Sequence, residues 1–352
     1  MKKFILNYSN NNILIFIVII LYISNIQYVI AQISWDSSIT VFLIDTILFN
    51  NRQNNLVENQ KFLIISNSNK QILQIVNTPD IAITDANNIT HSENSIFISP
   101  INPDIMVNSN NFSTWPTISS LSTSGQISND GGLNWSAITV GNLNSSKADP
   151  ATAIGISGRI FLGYIDLSLG QSISYSDDNG QTWIERQVAP NPGTVADKNH
   201  LWIDNSIVSP FEGNLYSAWT DFGSLNSSNL DIVISLSTND GDNWSAPDNI
   251  SSDVGGCRDQ GVNIQTGPNS EVYVCWAIYD NCSGNEVAIG FTKSLDGGQT
   301  WEEITPGITS ERIQNINGHR ITSLGGTKTM RHNSLPVMTV NQQNGDIFIV
   351  WT

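Results

Sequence analysis

Beyond about residue 93 the chain alternates between short apolar runs and clusters of Gly, Asn, Asp, Ser and Pro. Runs of this kind, rich in β-branched and aromatic residues, read as strands joined by turns. One run recurs: Gly158-Arg159-Ile160-Phe161-Leu162-Gly163-Tyr164, Gly213-Asn214-Leu215-Tyr216-Ser217-Ala218-Trp219, Ser270-Glu271-Val272-Tyr273-Val274-Cys275-Trp276 and Gly345-Asp346-Ile347-Phe348-Ile349-Val350-Trp351. Each is a turn followed by a strand that ends on an aromatic. A shorter apolar piece precedes it, as in Leu201-Trp202-Ile203 and Gly261-Val262-Asn263-Ile264. A third strand follows, as in Asp231–Ser237 and Val287–Thr292. Tyr164, Tyr216 and Tyr273 alternate within these strands and read as core.

Polar positions carry the stronger signal. Four segments share the pattern S-x-[DN]-x-G-x-[TN]-W: Ser128, Asp130, Gly132 and Trp135; Ser176, Asp178, Gly180 and Trp183; Ser237, Asn239, Gly241 and Trp244; Ser294, Asp296, Gly298 and Trp301. Their tryptophans lie 48, 61 and 57 residues apart. The Asp or Asn is suited to accept backbone N–H bonds in a tight turn. The Gly tolerates a positive φ, and the Trp packs its ring between strands. A period near this length marks repeat arrays such as propellers. Four strands per unit, with the box between the third and fourth, make a propeller blade. The blades fall near 93–140, 149–190, 197–250 and 258–305, and a fifth starts within 331–352.

The N-terminus differs. Met1-Lys2-Lys3, the apolar run Ile13–Ile23 and Val29-Ile30-Ala31 form a secretory signal peptide over 1–31. The run is short for a membrane span. Residues 32–92 are β-prone and Asn-rich without a box, and 93–352 form the repeat domain.

Composition narrows the function. A net charge of -16 with 13% charged residues argues against a nucleic-acid partner. It also means that an anionic ligand needs a local cluster of the seven arginines. The tryptophan count of ten is mostly architectural, since seven occupy repeat positions. Of three cysteines, Cys275 reads as core and Cys257 with Cys282 as the disulfide of an exported protein.

The four boxes resemble the Asp-boxes, or BNR repeats, of the sialidase superfamily. Asp197–Asp204 and Asn333–Val340 resemble secreted bacterial exo-α-sialidase-like glycosyl hydrolases. The resemblance covers roughly 93–352. It implies an all-β, six-bladed, sialidase-like β-propeller whose last blades are incomplete here. In that superfamily the boxes sit at the outer rim and are structural; assembly factors and sortilin-type receptors carry them too.

Propeller sites lie where loops lead into the innermost strands. Here those points are Ala148-Asp149-Pro150, Asp197-Lys198-Asn199-His200, Cys257-Arg258-Asp259-Gln260 and Met330-Arg331-His332-Asn333. The resemblance implies an arginine cluster for a sugar carboxylate, an Asp acid/base and a Tyr–Glu nucleophile. Asp149 and Asp197 are the acid/base candidates. Arg258, Arg331, His200 and Lys198 are the substrate-binding candidates. The first-blade arginine is missing, since the nearest equivalent is Phe97-Ile98-Ser99-Pro100. The Tyr would fall beyond Thr352, and Glu271 is the acidic residue on the strand after Arg258. The plain alternatives are a turn cap for Asp149, packing for His200 and an ion pair of Arg258 with Asp259.

No metal site and no cofactor are expected. Calcium at Asp177-Asp178-Asn179-Gly180 is the remaining candidate, although the full EF-hand spacing is absent. The expected function is a secreted sialidase-like glycoside hydrolase acting on terminal sialic acids of glycans or glycoproteins. It would have no membrane span after signal cleavage. The alternatives are a non-catalytic propeller that binds glycans or proteins at the cell surface, and an assembly or receptor module.

Overall fold

The computed structural model describes residues 17–23, 26–35, 38–42, 81–83, 89–114, 122–138, 147–190, 196–223, 230–303, 308–319, 321–325, 328–331 and 333–352. Within 17–42, 89–90, 113–114, 122, 321–325 and 328–331 it describes the backbone alone. The basic start of the signal peptide, His332 and the side chain of Arg331 lie outside the described residues. The chain divides into two units, 1–80 and 81–352. In the first, β1 (Ile17–Ile23), β2 (Ile26–Trp35) and β3 (Ser38–Phe42) form an antiparallel sheet.

The second unit is a row of four-stranded antiparallel sheets, each a meander in chain order. Sheet one is β4 (Ile89–Ile98), β5 (Met106–Thr114), β6 (Ser122–Ser128) and β7 (Ser136–Ile138). Sheet two is β8 (Lys147–Ile154), β9 (Ile160–Asp166), β10 (Gly170–Ser176) and β11 (Ile184–Ala189). Sheet three is β12 (Ala196–Ile203), β13 (Leu215–Asp221), β14 (Asp231–Ser237) and β15 (Asp248–Asn249). Sheet four is β16 (Arg258–Thr266), β17 (Val272–Tyr279), β18 (Ala288–Ser294) and β19 (Ser310–Asn315). Hairpins β20 (Ile321–Gly325) with β21 (Lys328–Arg331), and β22 (Val337–Val340) with β23 (Ile347–Val350), follow. No helix appears among the described residues, so none is long and apolar enough to cross a membrane.

First strands meet first strands: β8 packs against β4 and β12, β12 against β16, and β16 against β22. This is how blades meet around an axis. Two boundaries differ from expectation. The fourth unit extends past 305 to include β19, because the segment after its box is long. Near Arg331 the chain is still in the β20–β21 hairpin, and the next hairpin starts at Val337.

Both faces of β9 and β10 are buried, and these strands are mostly apolar, aromatic or small, with Asp166 and Gln171 as the buried polar exceptions. Phe161 and Ile165 join Leu201, Leu215 and Trp219 between sheets two and three. The alternating Ile160, Leu162 and Tyr164 join Val107 and Ile127 between sheets one and two. Each buried Ile, Leu or Phe contributes about 1.5–3 kcal/mol. Tyr216, Ile234, Val262 and Trp276 repeat the pattern between sheets three and four.

The boxes join the third and fourth strands of each sheet. In the second, Ser176 Oγ accepts from Gly180 N at 2.9 Å. Asp178 accepts from Thr182 N at 2.8 Å and from Thr182 Oγ1 at 2.6 Å. Trp183 Nε1 donates to Gly180 O at 3.0 Å. Gly132, Gly180, Gly241 and Gly298 have φ between +81° and +87°. Those of the second, third and fourth boxes also abut the preceding sheet. A Cβ at Gly241 would lie 2.8 Å from Ile173, and one at Gly298 would lie 2.9 Å from Tyr216. The fourth box differs in one bond, because Trp301 Nε1 has no partner. At the calcium candidate the carboxylate oxygens have protein partners. Asp178 spends its oxygens on the box, and Asp177 pairs with Arg159 at 2.7 Å. Among the described residues no group of three acidic, His or Cys side chains could hold a metal.

A charged group is buried in sheet two. Lys147, 2% exposed, pairs with Asp166 at 2.7 Å and Glu185 at 3.1 Å. Tyr164 Oη donates to Glu185 at 2.6 Å. Removing the cation leaves buried carboxylates uncompensated. Lys147→Met is expected to cost about 3–5 kcal/mol in denaturant unfolding. The double change Lys147→Met with Asp166→Leu should recover part of that loss.

Candidate functional site

Each first strand carries a β-bulge at the same place. The register breaks between Ser92 and Ser95, Ala148 and Ala151, Asp197 and His200, and Gln260 and Asn263. One residue in each bulge is left-handed: Glu93 (φ 55), Asp149 (φ 52), Lys198 (φ 53) and Gly261 (φ 75). The sequence reading put the site points just before the first strands. Three of the four lie inside those strands instead, because the bulge residue breaks the alternation that marks a strand, and the fourth falls at the end of β21. In sheet four the position must be glycine, since a Cβ at Gly261 would run into Leu335. In the other three sheets a charged residue tolerates the strain. Strained conformations of this kind cluster at functional sites.

The bulges bring Asp149 and Asp197 together across adjacent sheets, within hydrogen-bonding reach of each other. Asp149 N donates to Asn111 Oδ1 at 2.8 Å, and Asn111 Nδ2 donates back to Asp149 at 3.1 Å. Lys198 N donates to Asp149 Oδ2 at 2.9 Å. Gln260 Nε2 donates to Asp197 Oδ2 from the next sheet. Lys198 Nζ pairs with Glu93 at 3.1 Å, linking sheet three to sheet one. Four sheets thus contribute to one half-exposed polar cluster.

The two carboxyls differ. Burial, the hydrogen bond to Asp149 and the charges of Asp149 and Glu93 push Asp197 up to about 7. Burial acts on Asp149 in the same sense. It is outweighed by hydrogen bonds from Asp197, the Lys198 amide and Asn111, so Asp149 sits below the usual range. Two like charges this close share one proton, and the pair titrates as a unit. At mildly acid pH the unit holds one proton with Asp149 ionised. That is the arrangement of a general acid.

The other expected residues lie apart from this pair or serve it indirectly. His200 is half-buried, with its Nδ1 enclosed, and burial pushes its imidazole down to about 4, so it is neutral near pH 7. Its Nε2 lies 3.4 Å from Asn263, and its ring stacks on Trp202 at 6.5 Å. Arg258 is 6% exposed and stacks on Tyr279 at 3.9 Å. Tyr279 is also its cross-strand partner. Asp259 beside it is also buried, which pushes its carboxyl up to about 8. Glu271 is tied to Asn269 at the far turn of β16–β17. The acid near Arg258 is instead Glu286, which accepts from Tyr279 Oη at 2.6 Å. Both Tyr279 and Glu286 are fully buried. Arg331 has its backbone in β21. Cys257 and Cys282 are bonded beside Arg258, and Cys275 is a buried free thiol.

Sequence reasoning missed Glu93 and Asn111 as members of the cluster and gave Gln260, which it had placed at a site point, no role of its own. Glu93 and Gln260 lie in or beside the bulges of β4 and β16, so aligning the four first strands with one extra residue would have found them.

Two predictions follow from the bulge and the pair. A left-handed L-residue costs about 1–2 kcal/mol. Lys198→Gly should therefore be more stable than Lys198→Ala by about 1 kcal/mol, the reverse of the usual order. Equal or lower stability of the Gly variant would remove the strain argument. Asp197 has a raised folded pKa, so its stabilising effect is complete below about 3.8 and is lost as pH rises through about 7. Asn cannot ionise. The melting temperature of Asp197→Asn relative to wild type should rise between pH 5 and pH 8, and a flat difference would refute the raised pKa.

No family model matches this sequence, and no curated protein matches it. Solved structures do. The chain is similar to the leech intramolecular trans-sialidase over 74% of this chain and 60% of that one, at 12% identity and a TM-score of 0.48. It is similar to a Penicillium chrysogenum α-L-arabinanase over 73% of this chain and 84% of that one, at 16% identity and a TM-score of 0.41. A protein of unknown function from Dyadobacter fermentans is similar over 63% of this chain and 70% of that one, at 15% identity and a TM-score of 0.47. Sialidases and arabinan-active glycosidases thus both stand among the structural neighbours, and likeness at this level assigns no activity to this chain.

Proposed function

We propose that this chain is a glycoside hydrolase of sialidase-like propeller type, exported through its N-terminal 31 residues, acting on glycans. The observation that carries the reading is the half-buried Asp149–Asp197 pair at the shared end of the first strands. Asp197 holds a proton near neutrality and Asp149 stays ionised beside it. A carboxylic acid kept protonated at working pH can donate to a leaving glycosidic oxygen. Terminal sialic acid is the substrate suggested by the box resemblance. It requires arginine at the mouth, where Arg331 is the remaining candidate, since Arg258 is buried on Tyr279.

A second reading rests on the same pair. Flanking carboxylates of ordinary glycosidases lie about 5–9.5 Å apart, whereas Asp149 and Asp197 are in hydrogen-bonding contact. The pair then acts as a clip between sheets, and the propeller binds glycans or proteins at the cell surface without catalysis.

The test is turnover of a fluorogenic sialoside and, in parallel, a fluorogenic arabinofuranoside. Under the first reading one is cleaved, and Asp197→Asn lowers kcat about 10²–10⁴-fold. Arg331→Ala raises KM for the sialoside alone. Turnover that survives Asp197→Asn removes it from the proton-donor role. Glycan binding without turnover of either substrate favours the second reading.

A further inference from the structure

Sheets three and four do not close on each other as the earlier sheets do. At the second box a Cβ on Gly180 would touch Ile127 and Ile138 of sheet one, and at the third a Cβ on Gly241 would touch Phe161 and Ile173 of sheet two. At the fourth, a Cβ on Gly298 would meet Tyr216 alone beyond its chain neighbours. Ile234 holds the place in sheet three that Ile173 holds in sheet two, yet it does not reach Gly298. Trp135, Trp183 and Trp244 donate their indole N–H to the box glycine carbonyl at 3.0, 3.0 and 3.1 Å, and Trp301 makes no such bond.

The fourth strand explains the gap. Sheet one sets Ile138 opposite Gly125, and the Ile138 side chain fills the space beside the next box. At the same register point sheet three sets Asp248 opposite Ile234, on the short strand β15. An open cleft of about 290 Å³ is left between β14 and the fourth box. Tyr216 and Ile234, both buried, form its inner wall, and Ser245, Asp248 and Gln299 are exposed at its lip. Ser245 Oγ accepts from Leu236 N at 3.0 Å and keeps its own proton to donate. Gln299 Nε2 spends one N–H on Asp296 O at 3.0 Å and keeps the other.

An apolar wall with a hydroxyl, an amide and a carboxylate at its lip matches a sugar ring, whose C–H face is apolar and whose edge carries hydroxyls. Sites for drug-sized ligands run to about 300–1,000 Å³, so this cleft suits a single ring. The charge in its lining is the carboxylate of Asp248, which disfavours an acidic sugar. The box ends of the sheets lie at the Ile203 end of β12, away from Asp197.

On the reading that the protein engages glycans, we infer that this cleft is a non-catalytic subsite holding one neutral sugar unit between sheets three and four. It shares no residue with the cluster around Asp149 and Asp197.

The experiment titrates the full chain with galactose, xylose and glucuronic acid and follows the amide NMR signals of Ser245 and Gly298. A neutral sugar should shift both with a dissociation constant on the order of 1–10 mM, and glucuronic acid should not. Ala246→Leu, which fills the cleft, should abolish the shifts, and Asp248→Ala should weaken binding about tenfold. Asp197→Asn should bind as the wild type does, so loss of turnover and loss of this subsite are read separately. Absence of shifts with both neutral sugars, or equal binding of glucuronic acid, overturns the proposal. Shifts with isopropanol alone assign the cleft to an apolar side chain of a protein partner and overturn it too. If Ala246→Leu does not fold, Asp248→Ala decides.

Discussion

Every central strand of this protein has to be covered on both faces. β9 shows why: Phe161 and Ile165 turn one way, Leu162 and Tyr164 the other, and all are buried. A single sheet with two apolar faces is unstable alone, so each sheet needs a neighbour on either side. A row of such sheets, joined first strand to first strand, satisfies the requirement for all but the ends. The boxes belong to the same constraint. Their glycines take the positive φ of the turn, and they also let the turn of one sheet approach the core of the preceding one, as Gly241 does at Ile173 and Phe161. The box is therefore part of the contact between sheets as well as a turn.

That constraint also explains what was legible in the sequence. Boxes are local chemistry, spanning eight residues whose types each have a turn role, so they announce themselves. The strands β9 and β17 are legible because burial on both faces gives nearly unbroken apolar runs, whereas β5 buries Asn and Ser and is not. The bulges are not legible. One extra residue in β4, β8, β12 and β16 shifts the alternation, so Asp149 and Lys198 look like loop residues ahead of a strand. Their left-handed backbone has no signature in a non-glycine residue.

The candidate site was partly legible for the same reason. Equivalent points of a radial repeat converge, and on that ground Asp149 and Asp197 could be named from sequence. Whether their carboxyls touch depends on Asn111, Lys198 and Gln260, which come from three different sheets. Arg258 shows the opposite case. Its position in the repeat suggested a ligand role; its cross-strand partner is Tyr279, and the guanidinium lies buried over that ring. Register decided between display and burial, and register is a long-range property. Glu271 likewise was drawn to the far turn by Asn269.

The pair carries a conflict that a purely structural clip would not need. Holding Asp197 protonated near neutrality means that its ionised form is disfavoured by the fold, so the group weakens stability as pH rises. A Gln or Asn could accept and donate across the same gap without that penalty. Asn111 and Gln260 already do so beside it. Three consecutive sheets also keep a strained charged residue where the fourth has glycine. Strain and a raised carboxyl at one spot must be held in place by the surrounding contacts, and here Asn111, the Lys198 amide and Gln260 supply them.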